Sequence, residues 1–450
     1  MTSSCTDTGN LIVEESAPPL QSAVTSENPS GWMFWVTRGS LAVLDQGLIA
    51  ASNFVIGILL ARWLLPEQYG SYALAFAIFL LLSFVYQALL LEPQRVFGPS
   101  DYADSQREYL GVLLRVHLWL GLAIFLALGI SAWLMHMWAP NSLPGALAGV
   151  TVAAPCVLLL WLARGAFYVR MSPQHAVWGA AVYCAVVFVG LFLIHSFGVL
   201  SPFSAFLLMG LAALISSAVL LVRLKPVFKL RMNGASSGVV FRQHWNYGRW
   251  IFVSFVLSWL AGDVYYPLVS SFSGMAAAGS LKALLNFSLP VAQTFGALSL
   301  FAVPYASRLY QEDGLTALND LTWRMAWLFA AAAVLYWAVL ILWSKPILQL
   351  LYGGHYTELA SLIPWVAAGS LPWNVAIAPT IALRVVRSST SVLYTYVASS
   401  VIAVVVGVPA TMVFGLRGAL WAMVLSNLVA LFVAFTLVSR KLRDASAAKG

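Results

Sequence analysis

Charge is scarce in this chain: Asp, Glu, Lys and Arg make up 9% of its 450 residues, where a soluble domain carries about 25%. That scarcity excludes an ordinary water-soluble globule. Cysteine is almost missing as well, with only Cys5, Cys156 and Cys184. One sits in a polar tail and two in apolar runs, so neither a disulfide framework nor a zinc site is supported. No Walker-type phosphate loop occurs, which removes ATP as an evident driver. No cofactor is expected. Long polar stretches are lacking too, and with them the room for a large extramembrane catalytic domain.

What is present is hydrophobic residue, 61% of the chain with a mean hydropathy of +0.85. A spanning helix takes about 20 apolar residues. Segments near 39–62, 71–91, 110–135, 145–166, 176–195, 203–222, 248–272, 277–303, 323–343, 359–383, 391–413 and 417–438 meet that length, giving twelve spans. Strands of a membrane barrel would instead alternate over about ten residues, and no such alternation is seen. The expected class is an all-α integral membrane protein.

Lys and Arg exceed Asp and Glu by 24 to 16. In a soluble protein this would suggest nucleic acid; here it reports orientation, because cations are retained on the cytoplasmic side. Nineteen cations fall in one alternate set of connections and tails and three in the other, Arg62, Lys345 and Arg417. Both termini are therefore expected in the cytoplasm, with no nucleic-acid partner. Residues 1–33 read as a disordered cytoplasmic tail, since they are polar and acidic and lack the positive start of a signal peptide.

The chain repeats itself at a shift of 209 residues: Gly39 and Gly70 correspond to Gly248 and Gly279. Six spans per half is an even number, so the halves enter the membrane in the same sense and a parallel pseudo-twofold repeat follows. The expected units are a six-helix bundle at 34–222, a basic linker at 223–247, a second bundle at 248–438 and a cytoplasmic tail at 439–450. The linker mixes Val227, Phe228, Phe241 and Trp245 with Arg and Lys. It reads either as a solvated connector or as an amphipathic segment on anionic inner-leaflet lipids.

Several segments resemble the polysaccharide (O-antigen and exopolysaccharide) flippases of the multidrug, oligosaccharidyl-lipid and polysaccharide exporter superfamily. They are Leu60-Ala61-Arg62 with Leu65-Pro66-Glu67-Gln68-Tyr69-Gly70, then Pro290 with Pro304 to Arg308, Leu350-Leu351-Tyr352-Gly353 with Tyr356, and Gly415 to Ala419. The resemblance implies a MATE-like pair of six-helix bundles around a central cavity and alternating access. It also implies a polyprenyl-pyrophosphate-linked oligosaccharide as cargo, a bacterial inner-membrane location, and glycosyltransferases and a polysaccharide polymerase as partners.

An ionised side chain in mid-span costs about 2.5–3.5 kcal/mol on insertion scales, so each one present needs a partner or water. Four stand out. Asp45 and Arg115 lie at similar depth in the first and third spans, and Asp263 and Lys282 flank the turn between the seventh and eighth. Each pair reads equally as a structural ion bridge or as a cargo or ion contact. Lys282, Asn286 and Gln293 are spaced by four and seven, which places them on one face of a continuous helix. This polar stripe has no counterpart in the first half, where Ala73, Ala77 and Phe84 correspond, and is expected on a cavity wall. Asn53 adds a polar edge to the first span, as cargo contact or inter-helix hydrogen bond. Trp259, Tyr265 and Tyr266 are candidates to stack on a sugar, while Trp373 reads as an interfacial anchor.

Two other functions compete. A cation-coupled multidrug exporter would share the fold, but the lysine in the stripe favours an anionic cargo. A membrane-embedded glycosyltransferase or polymerase would need paired acids or a His on a sizeable outer segment. The richest connection, 344–358, offers only His355 and Glu358 beside Lys345. The expectation is therefore a carrier, not an enzyme.

Overall fold

A computed structural model describes residues 32–138, 142–228, 231–232, 235–386 and 388–447. The tail expected to be disordered lies almost wholly outside the described residues. The first half forms α1 (Trp32–Trp63), α2 (Pro66–Tyr86), a π-helical turn (Gln87–Leu91), α3 (Glu92–Phe97), α4 (Gln106–Trp138), α5 (Leu143–Val169), α6 (Pro173–Ser196) and α7 (Pro202–Leu224). A two-residue antiparallel pair, β1 (Arg231–Met232) with β2 (Ala235–Ser236), follows. The second half forms α8 (Ser237–Gly262), α9 (Tyr265–Ser273), α10 (Met275–Asn286), α11 (Leu289–Leu342), α12 (Ser344–Tyr352), α13 (Ile363–Val385), α14 (Ser389–Val405) and α15 (Gly407–Ala447).

Among the described residues ten helical stretches are long and apolar enough to cross a membrane, so the protein is multi-pass. One of them, α11, is two helices joined at Gly314, whose φ of 78° breaks it, and its 54 residues are long enough for two crossings. With the shorter apolar helix Thr390–Val405 the pattern accommodates the twelve expected segments. Proline and glycine account for the interruptions. Pro66, Pro144, Pro173 and Pro202 open helices at positions where no backbone donor is needed. Gly415, at φ 57°, turns the chain within α15 between the last two crossings.

The two lobes meet along α2 and α10 and along the starts of α1 and α8. Gly70 and Gly279, equivalent under the 209-residue shift, lie against each other: a Cβ on Gly70 would fall 1.7 Å from the Met275 carbonyl oxygen, and one on Gly279 3.0 Å from the Gly70 nitrogen. Only glycine permits so close a crossing. The other equivalent pair is also matched, for Gly39 packs on Phe301 of α11 while Gly248 packs on the Ala88 carbonyl in the π-helical turn that follows α2. The start of each half thus seats on the far end of the second crossing of the other half, as an axis along the helix bundle requires.

The segment after α7 is strapped to the first lobe. Val227 N–H donates to the Arg107 carbonyl at 2.9 Å, and Arg107 Nε donates to the Lys225 carbonyl at 2.8 Å. Residues 237–247, expected within the linker, are helical and extend α8.

Candidate functional site

The first charged cluster lies near the linker end of the N-terminal lobe. Asp45 of α1 is fully buried and its Oδ2 accepts from Arg164 Nη2 of α5 at 2.5 Å and from the Tyr168 hydroxyl one turn further on. The expected partner, Arg115, is not there: it is half-buried on α4, and its Nε donates to the Gly111 carbonyl at 3.4 Å. Arg164 stands at the end of the apolar segment 145–166, and α5 continues to Val169 and carries it inside the lobe. A helix that overruns the apolar segment by one turn was enough to change its partner. Asp45 Oδ1 and Arg164 Nε remain buried without a hydrogen bond. Next to the pair is a cavity of about 60 Å³, lined by Asn53, Arg164 and otherwise by aliphatic and aromatic side chains, among them Phe76, Phe79 and Trp161. A water needs about 10–15 Å³, so this space suits a few waters and no glycan.

The second cluster forms the lobe seam and is built from segments far apart in sequence. Arg62 Nη1 donates to the Leu350 carbonyl at 2.9 Å, Asn286 Nδ2 donates to the Tyr69 hydroxyl at 2.9 Å, and the Tyr352 hydroxyl donates to the Ala283 carbonyl at 2.8 Å. Tyr69 also packs on Tyr72 and Tyr356. The segments 60–72 and 350–356, which carry the family resemblance, therefore meet at one place.

Lys282 sits beside this seam, half-buried, with its Nζ 5.3 Å from the Phe76 ring centre and 5.8 Å from that of Tyr266. Phe76 belongs to the other lobe. Ion pairs among the described residues are Arg95 with Glu92 and Arg164 with Asp45, so Lys282 and Asp263 interact through charge without an ion pair. The cation rests on ring faces instead.

The expected stripe is not one face. The helix stops at Asn286 and restarts at Leu289 with Pro290 in its first turn, so the seven-residue step from Asn286 to Gln293 crosses a break. Asn286 is buried against Gly57 and Tyr69 in the seam, whereas Gln293 is exposed. The seventh-span aromatics are packed as well. Trp259 Nε1 donates to the Ala77 carbonyl of the other lobe at 2.9 Å, and Tyr265 and Tyr266 are buried, leaving none of the three open to a sugar ring.

Roomier cavities lie in the C-terminal lobe. A cavity of about 280 Å³ beside Asp263, Asn374 and Asn427 shares Ala292 and Trp373 with a second of about 560 Å³, which runs between α11, α13, α14 and α15 to Arg384. Trp373 is thus a cavity residue and not an interfacial anchor. Of the expected residues, only Asp263 lies here. Asn374 and Asn427 are uncharged amides inside the apolar segments 359–383 and 417–438, and that placement is the sequence signal for them.

No known family profile and no curated protein matches the sequence. By structure the chain is similar to membrane transporters. An inward-facing conformation of a multidrug resistance MATE family transporter of the MOP superfamily superposes with a TM-score of 0.75 at 15% identity, covering 92% of this chain and 99% of the other. An outward-facing conformation of such a transporter gives 0.66 at 14% identity, covering 91% and 96%. A MATE crystal structure in the bent conformation gives 0.62 at 14%, covering 92% and 96%. The fold is therefore that of the MATE transporters over nearly the whole chain.

Proposed function

We propose that this protein is a flippase that carries a polyprenyl-pyrophosphate-linked oligosaccharide across a bacterial inner membrane by rocking its two lobes, without enzymatic chemistry. The observation that carries the reading is Lys282. It is a cation within the membrane-embedded part of the fold, at the junction of both lobes, held on aromatic faces with no carboxylate in ion-pair contact. A lysine is a mobile point-charge donor suited to phosphate, and a pyrophosphate arriving at the seam would meet it before any acid. The lipid tail would stay in the bilayer while the polar head passes between lobes.

Orientation follows from the cationic bias of the connections, which puts both termini in the cytoplasm. The exposed Phe228, Val239, Phe241 and Trp245, set among Arg242 and Arg249, suit docking of this end on anionic inner-leaflet lipids. Glycosyltransferases and a polymerase would supply and consume the cargo.

A second reading has its own support. Asp263 beside Trp365 and Trp373 is an acid among aromatics, a combination that fits an organic cation, as expected for a multidrug exporter. Proteoliposomes separate the two. Fluorescent farnesyl-pyrophosphate-linked N-acetylglucosamine is followed by its accessibility to a membrane-impermeant reductant, in parallel with ethidium uptake. The flippase reading expects glycolipid movement that Lys282→Ala lowers at least about tenfold, equivalent to about 1.4 kcal/mol, with unchanged protein folding. Ethidium transport without glycolipid movement would replace it by the exporter reading.

A further inference from the structure

We infer that the sugar portion of the cargo is held inside the C-terminal lobe, in the cavity walled by Trp373, Tyr396, Asn374 and Asn427, and not at the lobe seam; this rests on the flippase reading above. The first ground is size. At about 560 Å³ for its larger part, the cavity lies in the range of about 300–1,000 Å³ typical of pockets that enclose a small ligand, whereas the N-lobe space of about 60 Å³ does not.

The second ground is the hydrogen-bond inventory of the wall. Asn374 Nδ2 donates to the Ser370 carbonyl and to Ser370 Oγ, both at 2.9 Å, and Asn427 Nδ2 donates to the Gly369 carbonyl at 2.9 Å. The Thr380 hydroxyl donates to the Ala376 carbonyl at 2.6 Å, that of Thr395 to the Ser391 carbonyl at 3.2 Å, and that of Ser299 to the Phe295 carbonyl at 2.8 Å. These hydroxyls and the Asn374 amide are committed to helix backbone or to a neighbouring hydroxyl. One Asn427 N–H, the indole N–H groups of Trp365 and Trp373, the Tyr396 hydroxyl and the Arg384 guanidinium are further donors on the same wall. The wall therefore offers both donors and acceptors, the latter from the Asn427 amide oxygen, the hydroxyl lone pairs and the Asp263 carboxylate. Asn374 is 0% exposed and its Oδ1 has no partner, a burial that costs about 1–3 kcal/mol unless something donates to it.

A ligand matched to this wall must bring both donors and acceptors and little net charge, since Asp263 is offset by the nearby Lys282. Each sugar hydroxyl brings one donor and two acceptor lone pairs. Trp373 and Tyr396, with ring centres 6.4 Å apart and planes inclined at 50°, add the flat apolar surface that the C–H face of a pyranose covers. The lobe is thus a polar, aromatic-walled pocket for neutral sugar residues, with Lys282 left at the seam for the charged linkage.

The test uses purified full-length protein in nanodiscs with farnesyl-pyrophosphate-linked N-acetylglucosamine bearing a diazirine on the sugar, and maps the adducts by mass spectrometry. Labelling of α13 and α14 that unlabelled glycolipid competes away, and farnesyl pyrophosphate does not, is expected. Trp373→Ala should lower that labelling about tenfold and Trp373→Phe less than about threefold, in keeping with the value of an aromatic face. Competed labelling confined to α2 and α10 would overturn the pocket and leave the transport reading standing. Labelling on α13 displaced by ethidium and not by glycolipid would overturn it in favour of an amine site. Absence of competed labelling together with absence of glycolipid movement in proteoliposomes would overturn both.

Discussion

Replacing Arg164 by Met isolates the contribution of its pairing with Asp45. In the native protein Asp45 has 0% and Arg164 9% of its side chain exposed, and the carboxylate takes a 2.5 Å charge-assisted bond from the guanidinium plus one from Tyr168. Removing the cation leaves a buried carboxylate with one hydroxyl donor and an Oδ1 that already lacks a partner. Breaking a buried pair from one side costs about 3–5 kcal/mol, whereas replacing both members by neutral groups is often close to neutral. The single variants Arg164→Met and Asp45→Asn are therefore each expected to lose about 3–5 kcal/mol. The double variant should lose less than either, giving a coupling of about 3 kcal/mol or more. Unfolding by sodium dodecyl sulfate in mixed micelles, followed by near-ultraviolet circular dichroism, measures all four corners of the cycle. Single variants within about 1 kcal/mol of the native protein, or a double variant that loses the sum of the two, would show that the pair is hydrated and contributes no more than a surface bridge.

Further outcomes follow from the seam. Gly70→Ala should abolish transport in proteoliposomes while the protein still inserts, because the added methyl would lie 1.7 Å from the Met275 carbonyl oxygen; Gly145→Ala, where nothing lies within 4 Å, is the control and should transport normally. Asn286→Leu strands the buried Tyr69 hydroxyl and should cost about 1–3 kcal/mol in the same micelle assay, and adding Tyr69→Phe should recover part of it; no recovery would contradict the bond between them. Arg62→Ala removes one bond at an exposed site and should change stability by less than about 1 kcal/mol, so a larger loss would mean that the α1 to α12 contact locks the lobes.

The crossings were legible because the bilayer imposes a length and a composition on each of them, and the repeat was legible because glycine cannot be replaced where two backbones touch. Gly70 and Gly279 were matched by spacing alone and prove to be each other's neighbours. The charged pairs were not legible, since depth along a helix does not say which helices are adjacent. Asp45 and Arg115 share a depth yet sit on α1 and α4, while the partner Arg164 comes from α5, the next helix along the chain after α4. The Lys282 stripe failed for a local reason: a face argument needs an unbroken 3.6-residue period, and Pro290 had already signalled the break three residues before Gln293.

The asymmetry between the halves carries functional weight that the symmetry does not. Where the repeat meets itself it spends glycine, at 70 and 279 and at 39 and 248, and those contacts serve the rocking of any two-lobe carrier. Each lobe also has a cavity among its own helices, but the contents have diverged. In the N-terminal lobe the space is about 60 Å³ and the carboxylate nearest it, Asp45, is neutralised by a buried arginine that lines it. In the C-terminal lobe the space is about 560 Å³ in its larger part, and Asp263 beside it makes no ion pair. A hinge has to be present in both halves, whereas a binding pocket has to be present in one. The half with room and an unpaired carboxylate is the half in which cargo recognition should be sought.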